Sequence, residues 1–155
     1  MWPTASRLTL THNAMIKISV AANAAMMQAM IDKLGVNGAG YVKLYPAPRA
    51  ANLDTAPSSA SVCKMVLALP CATINGTTGA FEFVATNNEG VNGQITNAAP
   101  FTWARAFDGA GNPVQDFDAR MSSATNTGQE LVVAATATFV GAFLHIASGG
   151  FSGPI

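Results

Sequence analysis

The spacing of apolar residues changes period along this chain. Val20, Ala24, Met27, Ile31 and Leu34 follow one another at intervals of four, three, four and three. That spacing puts them on one stripe of a helix. Ser19 stands before the stripe as an N-cap candidate, and Gly35 follows it where a terminating glycine belongs. The pattern predicts a helix over 20–34, with Met26, Met27 and Met30 widening its apolar face as packing residues. After Gly40 the period falls to two, the alternation of strands. Strands are predicted at 41–45, 61–69, 80–85 and 94–96, in a hairpin over 101–120, and as one or two strands within 131–146. Prolines and polar stretches separate them, with a long loop at 49–59. About eight short strands behind a single helix predict a mainly β fold, a β-sandwich or jelly-roll-like domain. The domain is expected over 14–147, between an N-terminal arm (1–13) and a Gly/Pro-rich C-terminal tail (148–155).

The hairpin is the most specific element. Phe101, Trp103, Arg105 and Phe107 share one face, and Thr102, Ala104, Ala106 and Asp108 share the other. Residues 108–113, DGAGNP, are dense with turn formers. Symmetric closure sets Phe107 opposite Val114, Arg105 opposite Asp116 and Trp103 opposite Asp118. The Arg105–Asp116 pair is then a cross-strand ion pair, and a slip of one residue would abolish it. A calcium loop through Asp108, Asn112, Asp116 and Asp118 is the competing reading. Its spacing departs from the EF-hand pattern.

Composition adds a second expectation. Half of the 155 residues are hydrophobic and only 10% are charged, with eight basic residues balancing eight acidic ones. A soluble domain carries about a quarter charged residues, and a neutral surface favours association. The deficit points to surface buried against other subunits. Lysines and arginines are scattered singly, so no footprint for a phosphate backbone exists and direct nucleic-acid binding is not expected. The uncharged run 131–147 is shorter than the roughly 20 apolar residues of a membrane span. Its β-branched and aromatic content suits a buried strand or strand pair. Cys63 and Cys71 flank a strand and are expected as two buried free thiols. With no secretory leader evident in residues 1–14, they suit a reducing compartment.

Reaction chemistry is sparse. The phosphate-binding glycine motifs, zinc-binding HExxH and the GxSxG elbow do not occur. His12 and His145 are the two histidines; His145 near a nucleophile would be the one candidate base. Glu82 and Glu130 read as solvent-facing strand positions, and the Asn75-Gly76-Thr77 sequon as a turn. No catalytic residue, metal or cofactor is expected, and the chain is not read as an enzyme.

The order of segments resembles a group of small virion structural proteins of tailed bacteriophages. Such proteins open with a strand and an Ala/Asn-rich helix, here residues 15–34. A strand and Pro-containing loop follow, here VKLYPAP over 42–48. Then comes a hairpin of the form T-W-x-R-x-x-D-x-x-G-x-x-V, carried by Thr102, Trp103, Arg105, Asp108, Gly111 and Val114. A Val/Thr/Phe-rich final segment closes the pattern, and the likeness spans roughly 15–147. Residues 122–128, SSATNTG, depart from the Gly-Thr-Ser-Gly turn usual there. The resemblance implies a structural place in the virion, after synthesis in the host cytoplasm. The expected role is a capsid decoration or cement protein that binds the major capsid protein and copies of itself, as a dimer or trimer. A neck or tail component is the alternative. Trp2, Leu8, Leu10 and Phe151, in the arm and tail, are the candidate assembly contacts. A third reading, a carbohydrate-binding sandwich, requires Trp103 as an exposed platform beside Arg105.

Overall fold

A computed structural model describes residues 18–84, 93–122, 131–135 and 139–151. The fold is mainly β and sandwich- or barrel-like, with one helix, α1 (Val20–Leu34). The strands are β1 (Tyr41–Tyr45), β2 (Cys63–Val66), β3 (Ala72–Ile74), β4 (Phe81–Phe83), β5 (Trp103–Phe107), β6 (Pro113–Met121), β7 (Leu131–Ala135) and β8 (Leu144–Phe151). They form one sheet in the order β2-β1-β5-β6-β7-β8-β4-β3. Of these pairings β6–β7 is parallel and the others are antiparallel. Ile95 bridges Cys63 on β2, and Gln94 bridges Phe143 beside β8, so the sheet curls until it nearly closes.

Helix α1 has the predicted bounds. Its first turn is capped by Ser19, whose side chain accepts a hydrogen bond from the Ala22 N–H at 3.2 Å. Replacing Ser19 with alanine leaves that donor bare and is expected to cost about 1 kcal/mol, read as a lower urea midpoint with an unchanged slope. The buried stripe differs from the prediction at its start. It consists of Asn23, Met27, Ile31 and Leu34, while Val20 is exposed. Asn23 replaces Val20 because its amide donates to the Thr78 carbonyl, 3.3 Å away in the β3–β4 turn. Gly79 in that turn has φ +68°, and a Cβ there would lie 2.6 Å from the Val20 carbonyl, so helix and turn meet through a bare backbone. At the other end Gly35 is right-handed, and the left-handed positions are Asn37 and Gly38. Met26 is exposed, whereas Met30 packs partly against the core.

Four further sequence expectations are corrected. Residues 148–151 belong to β8 rather than to a tail, because they pair with β7 and with β4. The 61–69 strand is ordered as a strand only over Cys63–Val66, and 94–96 contributes isolated bridges. Strand β3 was not predicted; three residues between Pro70 and a turn carry too little periodicity to stand out. At the hairpin, Phe107 pairs with Pro113, not Val114, through a register shift after Ala106. Asp108 causes the shift: its carboxylate accepts from the Ala110 and Asn112 N–H groups and from the Asn112 side chain, drawing the turn in by one residue. The run 131–147 divides into β7 and β8, a strand pair. No helix among the described residues is long and apolar enough to cross a membrane.

The core lies inside the curl. Val42, Leu44, Ala104, Ala106, Phe117, Leu131, Val133, Leu144 and Ile146 point inward from five strands, and Met27, Ile31 and Leu34 close one end.

Candidate functional site

Two regions carry more than packing. The first is the outer face of β1, β5 and β6. Side chains alternate along β5, so Ala104 and Ala106 enter the core while Trp103 and Arg105 point away from it. Both are nevertheless buried, at 1% and 2% exposure, because the 46–60 segment folds over them. Trp103 stacks on Tyr45 at 4.8 Å between centroids and donates from Nε1 to the Pro46 carbonyl at 2.8 Å.

Arg105 stands opposite Asp116 in the ladder and binds it with two contacts, Nε to Oδ1 at 2.7 Å and Nη2 to Oδ2 at 2.9 Å. Nη1 donates to the carbonyls of Leu53 and Thr55, and Nη2 to that of Asn52. Five donated bonds match the five N–H groups of a guanidinium. The hydrogen bond to Asp116 holds its pKa above the ordinary value, against the opposing effect of burial. With every donor engaged, Arg105 has none left for a ligand, and its geometry is that of a clamp on the 46–60 segment. Asn52 stiffens the clamped segment by accepting from the N–H and hydroxyl of Thr55.

The carboxylates of the hairpin are divided among separate partners. Asp116 faces Arg105, Asp118 pairs with Arg49 at the surface, and Asp108 is turned into its own loop. The Asn112 side chain is the main reason that the Asp108 pKa is lowered. This dispersal contradicts the calcium reading. Among the described residues no group of three or more His, Cys, Asp and Glu could hold a metal ion. Trp103 offers no platform to a sugar, so the carbohydrate reading loses the aromatic it required.

The second region is the end of the barrel where Gln94 and Ile95 close the sheet. A cleft of about 350 Å³ opens there, lined by Val62, Ile95, Ala98, Phe101, Met121 and Leu144 among others. Beside it the β7–β8 turn carries Phe139, Val140 and Phe143, exposed by 64%, 57% and 37%. Sequence reasoning missed these three because they sit inside a run that reads as buried strand. Gly141, at φ +94°, is the signal that a turn interrupts the run.

The remaining candidates are dispersed. Trp2, Leu8, Leu10, His12 and Glu130 lie outside the described residues. Phe151 ends β8, opposite Phe81 on β4. His145 lies in the β7–β8 ladder opposite Ala134. Glu82 is exposed and accepts from the Asn75 side chain, and Asn75 also closes the β3–β4 turn by accepting from the Thr77 and Thr78 N–H groups.

Cys63 and Cys71 are free and buried. Burial pushes the Cys63 thiol up to about 12 from an ordinary 9.0. The native state favours the protonated thiol. That contribution is complete below pH 9 and is lost as pH climbs towards 12. At pH 8, maleimide labelling of Cys63 in the folded chain is expected to be far slower than in urea. Equal rates would show that the site opens readily.

No family model matches the chain, and no curated protein or solved structure does either.

Proposed function

We propose that this chain is a structural protein of a tailed-bacteriophage virion, acting as a decoration or cement protein on the major capsid lattice. The observation that supports an assembly role most directly is the exposed apolar end of the barrel, where Phe139, Val140 and Phe143 project beside an open apolar cleft. Side chains of this kind, clustered at one end of a domain with few charges, are the usual material of an interface core. The virion assignment rests on the resemblance of the segment order and of the Thr102–Val114 motif.

The mechanism is added buried area at the junctions between capsid subunits. Each contact is small, and the number of junctions multiplies its effect. The clamp at Arg105 serves this role by keeping the outer face of the barrel rigid, so that docking loses little conformational entropy.

Quantitative mass spectrometry of purified particles tests the reading. A decoration protein is expected at hundreds of copies per particle, as a lattice of repeated junctions requires. A neck or tail component would give about six to a dozen, as a ring of one symmetry does. Absence from purified particles would remove the virion assignment altogether.

A further inference from the structure

The apolar turn and the apolar cleft lie next to each other, and their backbones are tied together. The Gly141 N–H donates to the Ile95 carbonyl at 2.9 Å, and the Ile95 N–H donates to the Ala142 carbonyl at 2.8 Å. The Leu144 N–H reaches the Gly93 carbonyl, and the Gln94 side chain reaches the Gly141 carbonyl. Ile95 and Leu144 in turn line the cleft. The turn is therefore held at the rim of the cleft, with Phe139 and Val140 directed into solvent.

From this arrangement we infer that the end of the barrel is a self-association face: in a two-fold dimer, Phe139 and Val140 of each copy enter the cleft of the other. Three observations select a second copy as the occupant. The first is size and chemistry. An apolar cavity of roughly 150 Å³ holds benzene, so about 350 Å³ lined by Val62, Ile95, Phe101, Met121 and Leu144 admits a phenyl ring with a valine beside it.

The second is charge. Residues 93–101 and 139–144, which supply the turn and most of the cleft, contain no Asp, Glu, Lys or Arg. A two-fold contact brings a face against its own copy, and any cluster of one sign would repel itself. The outer face, which bears Lys43, Lys64, Arg49 and Asp118, lacks that neutrality.

The third is the sequence of the internal segments outside the described residues. Residues 85–92, 123–130 and 136–138 lie outside the described residues and attach at Val84, Gly93, Ser122, Leu131, Ala135 and Phe139. They contain a single large apolar residue, Val91. None of these three segments carries an aromatic side chain for the cleft, whereas the exposed turn of a second copy presents Phe139. Because turn and cleft lie side by side, two copies exchange knobs and the contact closes as a pair. Turn and cleft on opposite ends would propagate into a fibre.

This inference specifies the self-partner within the assembly role proposed above, but it does not depend on the virion assignment. Sedimentation velocity of the purified full-length chain over a wide range of concentration tests it. The expected result is a concentration-dependent monomer–dimer equilibrium, weakened at least about tenfold by Phe139→Asp. Phe139 is exposed, so the melting temperature and near-ultraviolet circular dichroism of the variant monomer should match the parent.

Ala98→Trp, at the exposed rim, fills the cleft instead and should weaken the dimer similarly. An equimolar mixture of the two variants restores one intact knob and one intact cleft, and it should associate more tightly than either variant alone. A chain that stays monomeric at every concentration overturns the proposal. So does a dimer indifferent to Phe139→Asp, or one abolished by deleting residues 1–13 while Phe139→Asp leaves it intact, which would make the arm the occupant. A chain that dimerises in this way but is missing from purified particles keeps the interface and loses the virion assignment.

Discussion

Arg105→Ala is expected to destabilise the protein by about 3–5 kcal/mol, the range for removing one partner of a buried ion pair. For a chain of this length that corresponds to a fall in melting temperature of roughly 10–15 °C. The size follows from what the substitution leaves behind. Asp116, whose side chain is only 14% exposed, loses its counter-ion. The carbonyls of Asn52, Leu53 and Thr55 lose the buried guanidinium that donates to them. Lysine should rescue little of this, because an ammonium cannot present a planar fork to a carboxylate and three carbonyls together. Asp116→Asn should cost less than Arg105→Ala, since an acceptor survives and the three carbonyls keep their donor. Thermal melts of the three variants decide the matter. A loss below about 1 kcal/mol for Arg105→Ala would mean that the 46–60 segment is held by Trp103 and its neighbours rather than by the guanidinium.

The second large effect is expected in the core. Phe117→Ala should cost about 3–5 kcal/mol, the range for removing a buried aromatic ring and leaving a cavity. Phe117 is fully buried on β6 and meets Phe83 at 5.4 Å and Phe81 at 6.2 Å between ring centroids, both edge to face. Those two rings belong to β4, three places away from β6 in the sheet. Their contact therefore crosses the interior and holds the curl of the sheet from within. Phe117→Leu keeps much of the volume and should lose less. Urea unfolding checks this through a lower midpoint at constant slope. A fall in the slope as well would show that the sheet opens when the ring is gone.

Much of the local structure was legible in the sequence. The bounds of α1 follow from a serine cap and a four-three spacing, both of which act within a few residues. The facing of Arg105 and Asp116, and of Trp103 and Asp118, follows from alternation on both sides of a Gly-rich turn. The displaced Phe107 shows where this stops. Alternation alone assumes a symmetric loop, whereas the loop is set by which donors the Asp108 carboxylate gathers. The candidate interface was the least legible part. Phe139, Val140 and Phe143 have the composition of a core strand, and their exposure depends on a turn at Gly141 and on bridges to Gln94 and Ile95, more than forty residues away.

By itself, then, the sequence determined the helix and its cap, the hairpin pairing of β5 with β6, the mainly β class and the low charge. Each of these is settled by side-chain spacing or by hydrogen bonds between near neighbours. Tertiary structure decided the sheet order, the parallel pairing of β6 with β7, the near-closure through Gln94 and Ile95, and the burial of Trp103 and Arg105 on the side of the sheet away from the core. The reason is physical: a strand's own residues specify two faces and two edges. Which other strand satisfies an edge, and which loop covers a face, depends on segments distant in the chain and on the water excluded when they meet.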